Sequence, residues 1–412
     1  MKILATGDWH IGKVSHGCHR DDEHRHFLDW LRDEAVSSGA DVLLVTGDVF
    51  DGKDPTPTSQ QIYYSFLDDI SEACPDMSVV IIAGNHDNPT LLEAPQSLLK
   101  RHRVEVRGVA EGCEQEDQAN SPLILPVDCA SGDRAWIIAV PYLRRSDFRF
   151  DQSYEKSVAG YLSALARAAK ERRKDGEPIV MMAHLYAAGT LDGNDIDRSE
   201  TIFVGGEPEI QMTSLTEHPD FLVSGHIHKR MNINGVPWAR YTGSALPMSF
   251  AETGYRHGAD LLTFTQGYVP RHEFLEYTPL SRFLSYGPAS PDEIAALIEK
   301  DSPRHDGFTF IEAKVRLDSP DPDVRTRLED IADKTGSHLV FHPEIGTPKE
   351  GSGEYATISR PEDLSSDKIV REVISRRFAA VNNAPEFEDG AMSDEERAIL
   401  ETIISKARSG DE

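Results

Sequence analysis

The sequence is poor in cysteine, in positive charge and in long apolar runs, and each shortage narrows what the chain does. Its four cysteines, Cys18, Cys74, Cys113 and Cys129, stand far apart in 412 residues with no CxxC spacing. That argues against a disulfide-dense secreted scaffold and a thiolate metal cluster, and implies reduced thiols. No stretch is long and apolar enough to span a membrane, and the chain opens on a strand-like run, Ile3-Leu4-Ala5, without a basic leader. Neither a signal peptide nor a membrane anchor is expected, so a cytoplasmic location follows. Lys and Arg number 43 against 70 Asp and Glu, a formal net charge of -27. Such a surface argues against loose attraction to nucleic acid or membrane. Screening over about 8 Å still leaves room for a local patch that binds a polyanion. No internal repeat is evident.

What is present is the composition of a globular protein, 39% hydrophobic and 27% charged, long enough for two or three domains. Five short apolar, largely β-branched runs read as strands buried on both faces of a parallel sheet: Lys2–Thr6, Asp41–Thr46, Ser78–Ala83, Pro178–Ala183 and Pro219–Ser224. Helical spacing is expected over Asp22–Ser37, Pro55–Glu72, Leu91–Lys100 and Ser157–Lys174, and further strands over Ala135–Val140, Val236–Thr242 and Asp260–Thr265. His24 and His26 read as polar-face residues of the first helix. Val109–Asp133 reads as a hairpin or loop. From about Arg282 a second helix-strand pattern begins (Pro291–Lys300, Phe308–Leu317, Val324–Lys334, His338–Pro343), interrupted by a polar linker at Pro348–Glu354. Two more helical patterns follow, Ser366–Phe378 and Ser393–Ala407.

The five buried runs lead into Gly7-Asp8-Trp9-His10, Gly47-Asp48-Val49-Phe50-Asp51, Gly84-Asn85-His86-Asp87, His184 and Gly225-His226-Ile227-His228. Taken singly, each motif is also an ordinary capped turn. Five at equivalent positions point to one cavity, because α/β folds place ligands beyond the carboxyl ends of their strands. Side chains two apart on a strand share a face, which pairs Asp8 with His10 and His226 with His228. The candidate ligands are therefore Asp8, His10, Asp48, Asn85, His184, His226 and His228. Oxygen and nitrogen donors without thiolate favour Mn, Fe, Zn or Mg. Seven such ligands, one carboxylate bridging, supply two ions of the kind that hydrolyses phosphoesters. The basic cluster Arg101, His102, Arg103 and Arg107 reads as a solvated face or a phosphate contact. Tyr142, Arg144, Arg145, Phe148 and Arg149 suit either a nucleic-acid strand or a plain surface loop.

In order and context, GDWH, GDVFD, GNHD, the lone His184 and GHIH are similar to the motifs of the calcineurin-like metallophosphoesterase superfamily across most of residues 1–265. The resemblance implies a four-layer α-β-β-α sandwich. It puts Asp8, His10, Asp48 and His228 on one ion, with Asp48 bridging to a second ion held by Asn85, His184 and His226. His86 would face the scissile phosphate and protonate the leaving oxygen or stabilise charge, with Asp87 orienting its ring. GDWH and GDVFD differ from the GDxHG and GDxVDRG of protein phosphatases. Together with Tyr241-Thr242-Gly243-Ser244-Ala245-Leu246-Pro247-Met248-Ser249-Phe250 and the later segments, they resemble the DNA double-strand-break repair nuclease branch, more weakly beyond Leu280. Some relatives carry His where this chain has Asp51, so no role is carried over to Asp51.

That branch implies a nuclease domain over residues 1–280, a small α/β capping domain over 281–360 and a helical tail over 361–412 that binds an ATPase partner. It implies a DNA exonuclease on double strands and endonuclease on single strands and hairpins, serving repair, recombination and replication. Two divalent ions, most simply Mn2+ with Mg2+ or another divalent metal as alternatives, would serve it. Its partners would be DNA and an SMC-type ATPase, in a heterotetramer containing a homodimer of this chain, nucleoid-associated and away from membranes. A small-molecule or cyclic-nucleotide phosphodiesterase on the same fold, or a non-catalytic scaffold, are the alternatives.

Overall fold

The structure of the chain, a computed structural model, describes residues 1–113, 117–148, 153–187, 209–233, 235–265, 267–300, 307–317 and 321–345. The apolar runs pair into two six-stranded sheets. The first has the order Arg271–Tyr277, His257–Thr263, Lys2–Thr6, Val42–Val45, Ser78–Ile82, Val104–Arg107. Its last four strands are parallel and its first two antiparallel additions at one edge. The second has the order Met231–Asn232, Ala239–Tyr241, Phe221–Gly225, Ile179–His184, Arg134–Ala139, Ile124–Asp128. Its four inner strands are parallel, and each edge strand runs antiparallel to its neighbour.

Strand alternation then builds three apolar layers. Between the sheets, Ile3, Val42, Leu44, Val80 and Ile82 meet Ile137, Val180, Met182 and Val223. On the outer face of the first sheet, Leu4, Leu43, Val79 and Ile81 go under Phe27, Leu31, Ile62 and Phe66 of the helices Asp21–Ser38 and Pro57–Ala73. On the outer face of the second, Ile138, Met181 and Leu222 go under Leu162 and Leu165 of helix Tyr154–Arg172. The result is a four-layer α-β-β-α sandwich. Local signals set the helix ends: Thr56 caps Pro57–Ala73 by accepting from the Ser59 N–H, with Pro57 in the first turn, and Gly39 closes Asp21–Ser38 in the left-handed conformation.

A third, all-parallel sheet, Arg282–Ala289, Thr309–Leu317 and Ser337–Ile345, carries the helices Pro291–Lys300 and Pro322–Lys334. It has its own core of Ile294, Ile298, Ile311, Val315 and Leu328, and residues 1–346 form one compact unit. The linker at 348–354 and the tail helices lie outside the described residues.

Three expectations change. The helix over Leu91–Lys100 is split into Pro89–Glu93 and Gln96–Leu99 with Pro95 between them, because proline lacks the N–H that would continue the ladder. The strand over Val236–Thr242 shrinks to Ala239–Tyr241. His24 is not on a polar face: it is buried, with its ring nitrogens 2.9 Å from the carbonyls of Arg20 and Trp9. It ties the first helix to the loop that carries His10.

Candidate metal centre

All five motifs arrive at one place, beyond the carboxyl ends of the parallel strands. Asp8, His10, Asp48 and Asn85 come from the first sheet, and His184, His226 and His228 from the second. Asp8, His10, Asp48 and His226 have left-handed backbone, with φ of 48°, 49°, 47° and 94°, a conformation that costs non-glycine residues about 1–3 kcal/mol each. Two glycines let the loops meet. A Cβ on Gly84 would lie 2.1 Å from Asp48 Oδ1, and one on Gly47, itself at φ +95°, would lie 2.6 Å from His184 Nδ1.

The donor atoms fall into two groups that share Asp48. In one, His10 Nε2 and His228 Nε2 are 3.1 Å apart, and ligand atoms of Asp8, His10 and His228 all lie within 4.8 Å of one another. In the other, Asn85 Oδ1 stands 2.9 Å from His184 Nε2 and 3.1 Å from His226 Nδ1. Asp48 Oδ2 lies between them, 3.3 Å from His184 Nε2 and 3.7 Å from His10 Nε2. Its Oδ1 accepts the His86 N–H at 2.8 Å.

Tautomers show what these groups want. His184 gives its Nδ1 proton to the Thr46 carbonyl at 2.8 Å, and His228 gives its own to Glu252 Oε1 at 2.9 Å. A neutral ring so arranged keeps its lone pair on Nε2. The His184 lone pair then faces an amide oxygen and the His228 lone pair another imidazole nitrogen, contacts that need positive charge between them. The residues fit two divalent cations.

Charge follows the same logic. Burial pushes Asp8 up to about 6. Burial acts to raise Asp48 too, but His184, His10 and His86 outweigh it and hold this carboxyl well below the usual range. Burial would lower His184, yet Asp48 and Asp8 raise it to about 9, so a proton stands in for the cation. Burial takes His10 down to about 4 and His226 down to about 3, leaving both rings neutral and able to donate lone pairs.

His86 lies at the rim, its ring edge-on to His10 with centroids 4.8 Å apart. The expected ring-orienting role of Asp87 is corrected. Asp87 is fully buried and its carboxylate accepts from the Gly84, Val49 and Phe50 N–H groups at 2.8, 3.1 and 2.9 Å. It ties the Asn85 loop to the Asp48 loop. The ring of His86 is instead oriented by the Asp51 carbonyl, which accepts from Nδ1 at 3.0 Å. The Asp51 side chain lies 3.3 Å from His10 Nδ1 and 3.1 Å from Lys13 Nζ. Asp51 and Glu252 are the residues that sequence reasoning missed. Asp51 stood inside the GDVFD motif without a stated partner, and Glu252 carried no signal.

A cleft lined by His10, Lys13, Asn85, His86 and Met248 opens over the donors. On the far side, Tyr142 stands edge-on to His184 at 6.1 Å, with Arg144 over its ring at 5.8 Å.

The family model of the calcineurin-like phosphoesterases matches residues 1–230, and the chain belongs to that family, whose members carry divalent metals on such a site. Over 381 residues it is 32% identical to SbcD, the smaller component of nuclease SbcCD, of Rhodobacter capsulatus, covering 88% of this chain and 93% of that one. It is 25% identical to the Escherichia coli K12 SbcD over 392 residues, 92% and 93% of the two chains. Against the Bacillus subtilis 168 SbcD it is 30% identical over 276 residues, 65% and 67%. Within the phosphoesterases, the chain falls in the SbcD branch. Among the described residues, no helix is long and apolar enough to cross a membrane.

Proposed function

We propose that the chain is a DNA nuclease that cuts phosphodiester bonds with two divalent ions, Mn2+ foremost. It acts as an exonuclease on double strands and an endonuclease on single strands and hairpins. The observation that carries this reading is the division of seven nitrogen and oxygen donors into two groups around Asp48 Oδ2. Asp8, His10, Asp48 and His228 would hold one ion, and Asp48, Asn85, His184 and His226 the other. When bound, such ions supply Lewis-acid polarisation of the phosphodiester and lower the pKa of water.

The protein's own part is orientation and proton transfer. Because His86 gives Nδ1–H to the Asp51 carbonyl, its exchangeable proton is carried on Nε2, where it serves the leaving oxygen. Asp87 acts one step back, fixing the backbone on which Asn85 and His86 stand. Lys13 in the cleft and the Tyr142–Arg144 pair beside it supply the cationic and stacking contacts that a nucleic-acid strand uses. With a net charge of -27, DNA is held by these local groups, by the ions and by a partner. An SbcC-type SMC ATPase is that partner, bound through the tail at 361–412, in a heterotetramer built on a homodimer of this chain. The relatives' names carry this part of the reading. Residues 281–360 cap the nuclease domain of 1–280, and the complex works on the nucleoid in the cytoplasm.

The test is Mn2+-dependent digestion of an end-labelled DNA hairpin, with and without ATP and the ATPase partner, beside His86→Ala. The variant should bind metal as wild type does and lose cleavage by about 100–10,000-fold, the contribution of a general acid. Undiminished cleavage would remove His86 from the chemistry, and a preference for nucleotide esters over DNA would overturn the nuclease reading.

A further inference from the structure

One buried carboxylate at the site has no part in the chemistry above. Glu252 ends the short turn Phe250–Glu252, 24 positions after His228, and is 1% exposed. Oε1 accepts from His228 Nδ1 at 2.9 Å and Oε2 from the Met248 N–H at 2.8 Å. The imidazole lies between this carboxylate and the ion position, since its other nitrogen faces His10 Nε2 at 3.1 Å. Glu252 therefore serves the ring and not the ion.

Its own position is fixed from the third sheet. Phe250 packs edge-on against Phe283 at 5.2 Å, and Phe283 stacks on Phe310 at 4.7 Å. Arg20, fully buried, donates to the Pro247 carbonyl, pairs with Glu23 at 2.7 Å and sits over the Phe283 ring. Ser281 Oγ donates to the same Glu23. The segment that carries Glu252 is held at Pro247 and at Phe250, with Met248 bonded to Glu252 itself.

We propose that Glu252 is the positioning residue for the ion held by Asp8, His10, Asp48 and His228, fixing the rotamer and tautomer of His228. This rests on the reading of His228 as a ligand. A carboxylate behind a ligating histidine orients it and strengthens it as a donor, and such partners are worth about 10–100-fold in metal affinity. His184 in the other group has only the neutral Thr46 carbonyl at 2.8 Å behind it, so losing Glu252 should weaken one ion and spare the other.

The full chain, stripped with chelator, is titrated with Mn2+ and followed by calorimetry for stoichiometry and by electron paramagnetic resonance for coupling between paired ions. Wild type should take two ions with a coupled spectrum. Glu252→Ala should weaken one ion about 10–100-fold and replace the coupled signal with that of a single ion at metal levels that fill both wild-type sites. Glu252→Gln keeps the packing but offers one acceptor to two N–H donors, and should show the same selective loss. Added to His228→Ala, Glu252→Ala should cost nothing further, because its effect passes through that ring. Two ions at wild-type affinity in both variants would overturn the proposal, as would a loss undiminished in the His228→Ala background. A wild-type chain that takes no second ion would strike the two-ion reading itself.

Discussion

Asp48 is the residue on which the two donor groups depend, since one oxygen reaches both and the other holds the His86 N–H. Asp48→Asn keeps the shape and removes the charge, so metal content after dialysis should fall from two ions per chain toward none, with affinity down on the order of a hundredfold or more. The same carboxylate sets a pH dependence. In the metal-free chain His184 is raised to about 9, whereas a ligating histidine must be neutral. Loading metal at pH 7 should therefore release about one proton, visible as a buffer-dependent enthalpy, and affinity should rise about tenfold per pH unit until it levels near pH 9. Asp87 belongs to stability. Asp87→Ala orphans three buried N–H groups at about 1–3 kcal/mol each, so the urea midpoint should drop by the equivalent of roughly 3 kcal/mol or more. The ligands were legible because each follows a buried run, and a run of that kind marks both a strand and its exit. Asp51 and Glu252 were not, because a histidine's partner is chosen by folding and leaves no spacing to read.

At the scale of elements, the loops matter more than the strands they leave. Gly84 is where two of them touch, and a Cβ there would lie 2.4 Å from Asp48 N as well as against its carboxylate. Gly84→Ala should separate the loops and lower metal affinity about tenfold or more, measured by the same titration. Thr56→Ala, which removes the cap of helix Pro57–Ala73, should cost about 1 kcal/mol and leave metal binding unchanged. Core strands and long helices were readable from apolar runs and helical spacing. The strand Arg271–Tyr277 was not, because RHEFLEY is largely exposed along its length and its charged residues hide the alternation that marks a half-buried strand. Third-sheet strand Arg282–Ala289 was also missed, being punctuated by Gly287 and Pro288.

For the molecule as a whole, the contact pattern separates residues 1–346 from 347–412. A chain ending at Gly346 should bind two ions as the full chain does but no longer co-purify with the ATPase partner, and retained association would place the partner's seat elsewhere. The net charge of -27 was legible and argued against nucleic acid, because composition averages over a surface while a phosphate meets only the cleft and its rim. The layer between the sheets has a consequence of another kind. Four donors ride on one sheet and three on the other, so Ile82, Val180, Met182 and their neighbours set the jaw width of a caliper. Trimming one of these side chains would touch nothing at the cleft and still change the gap that the two ions must span.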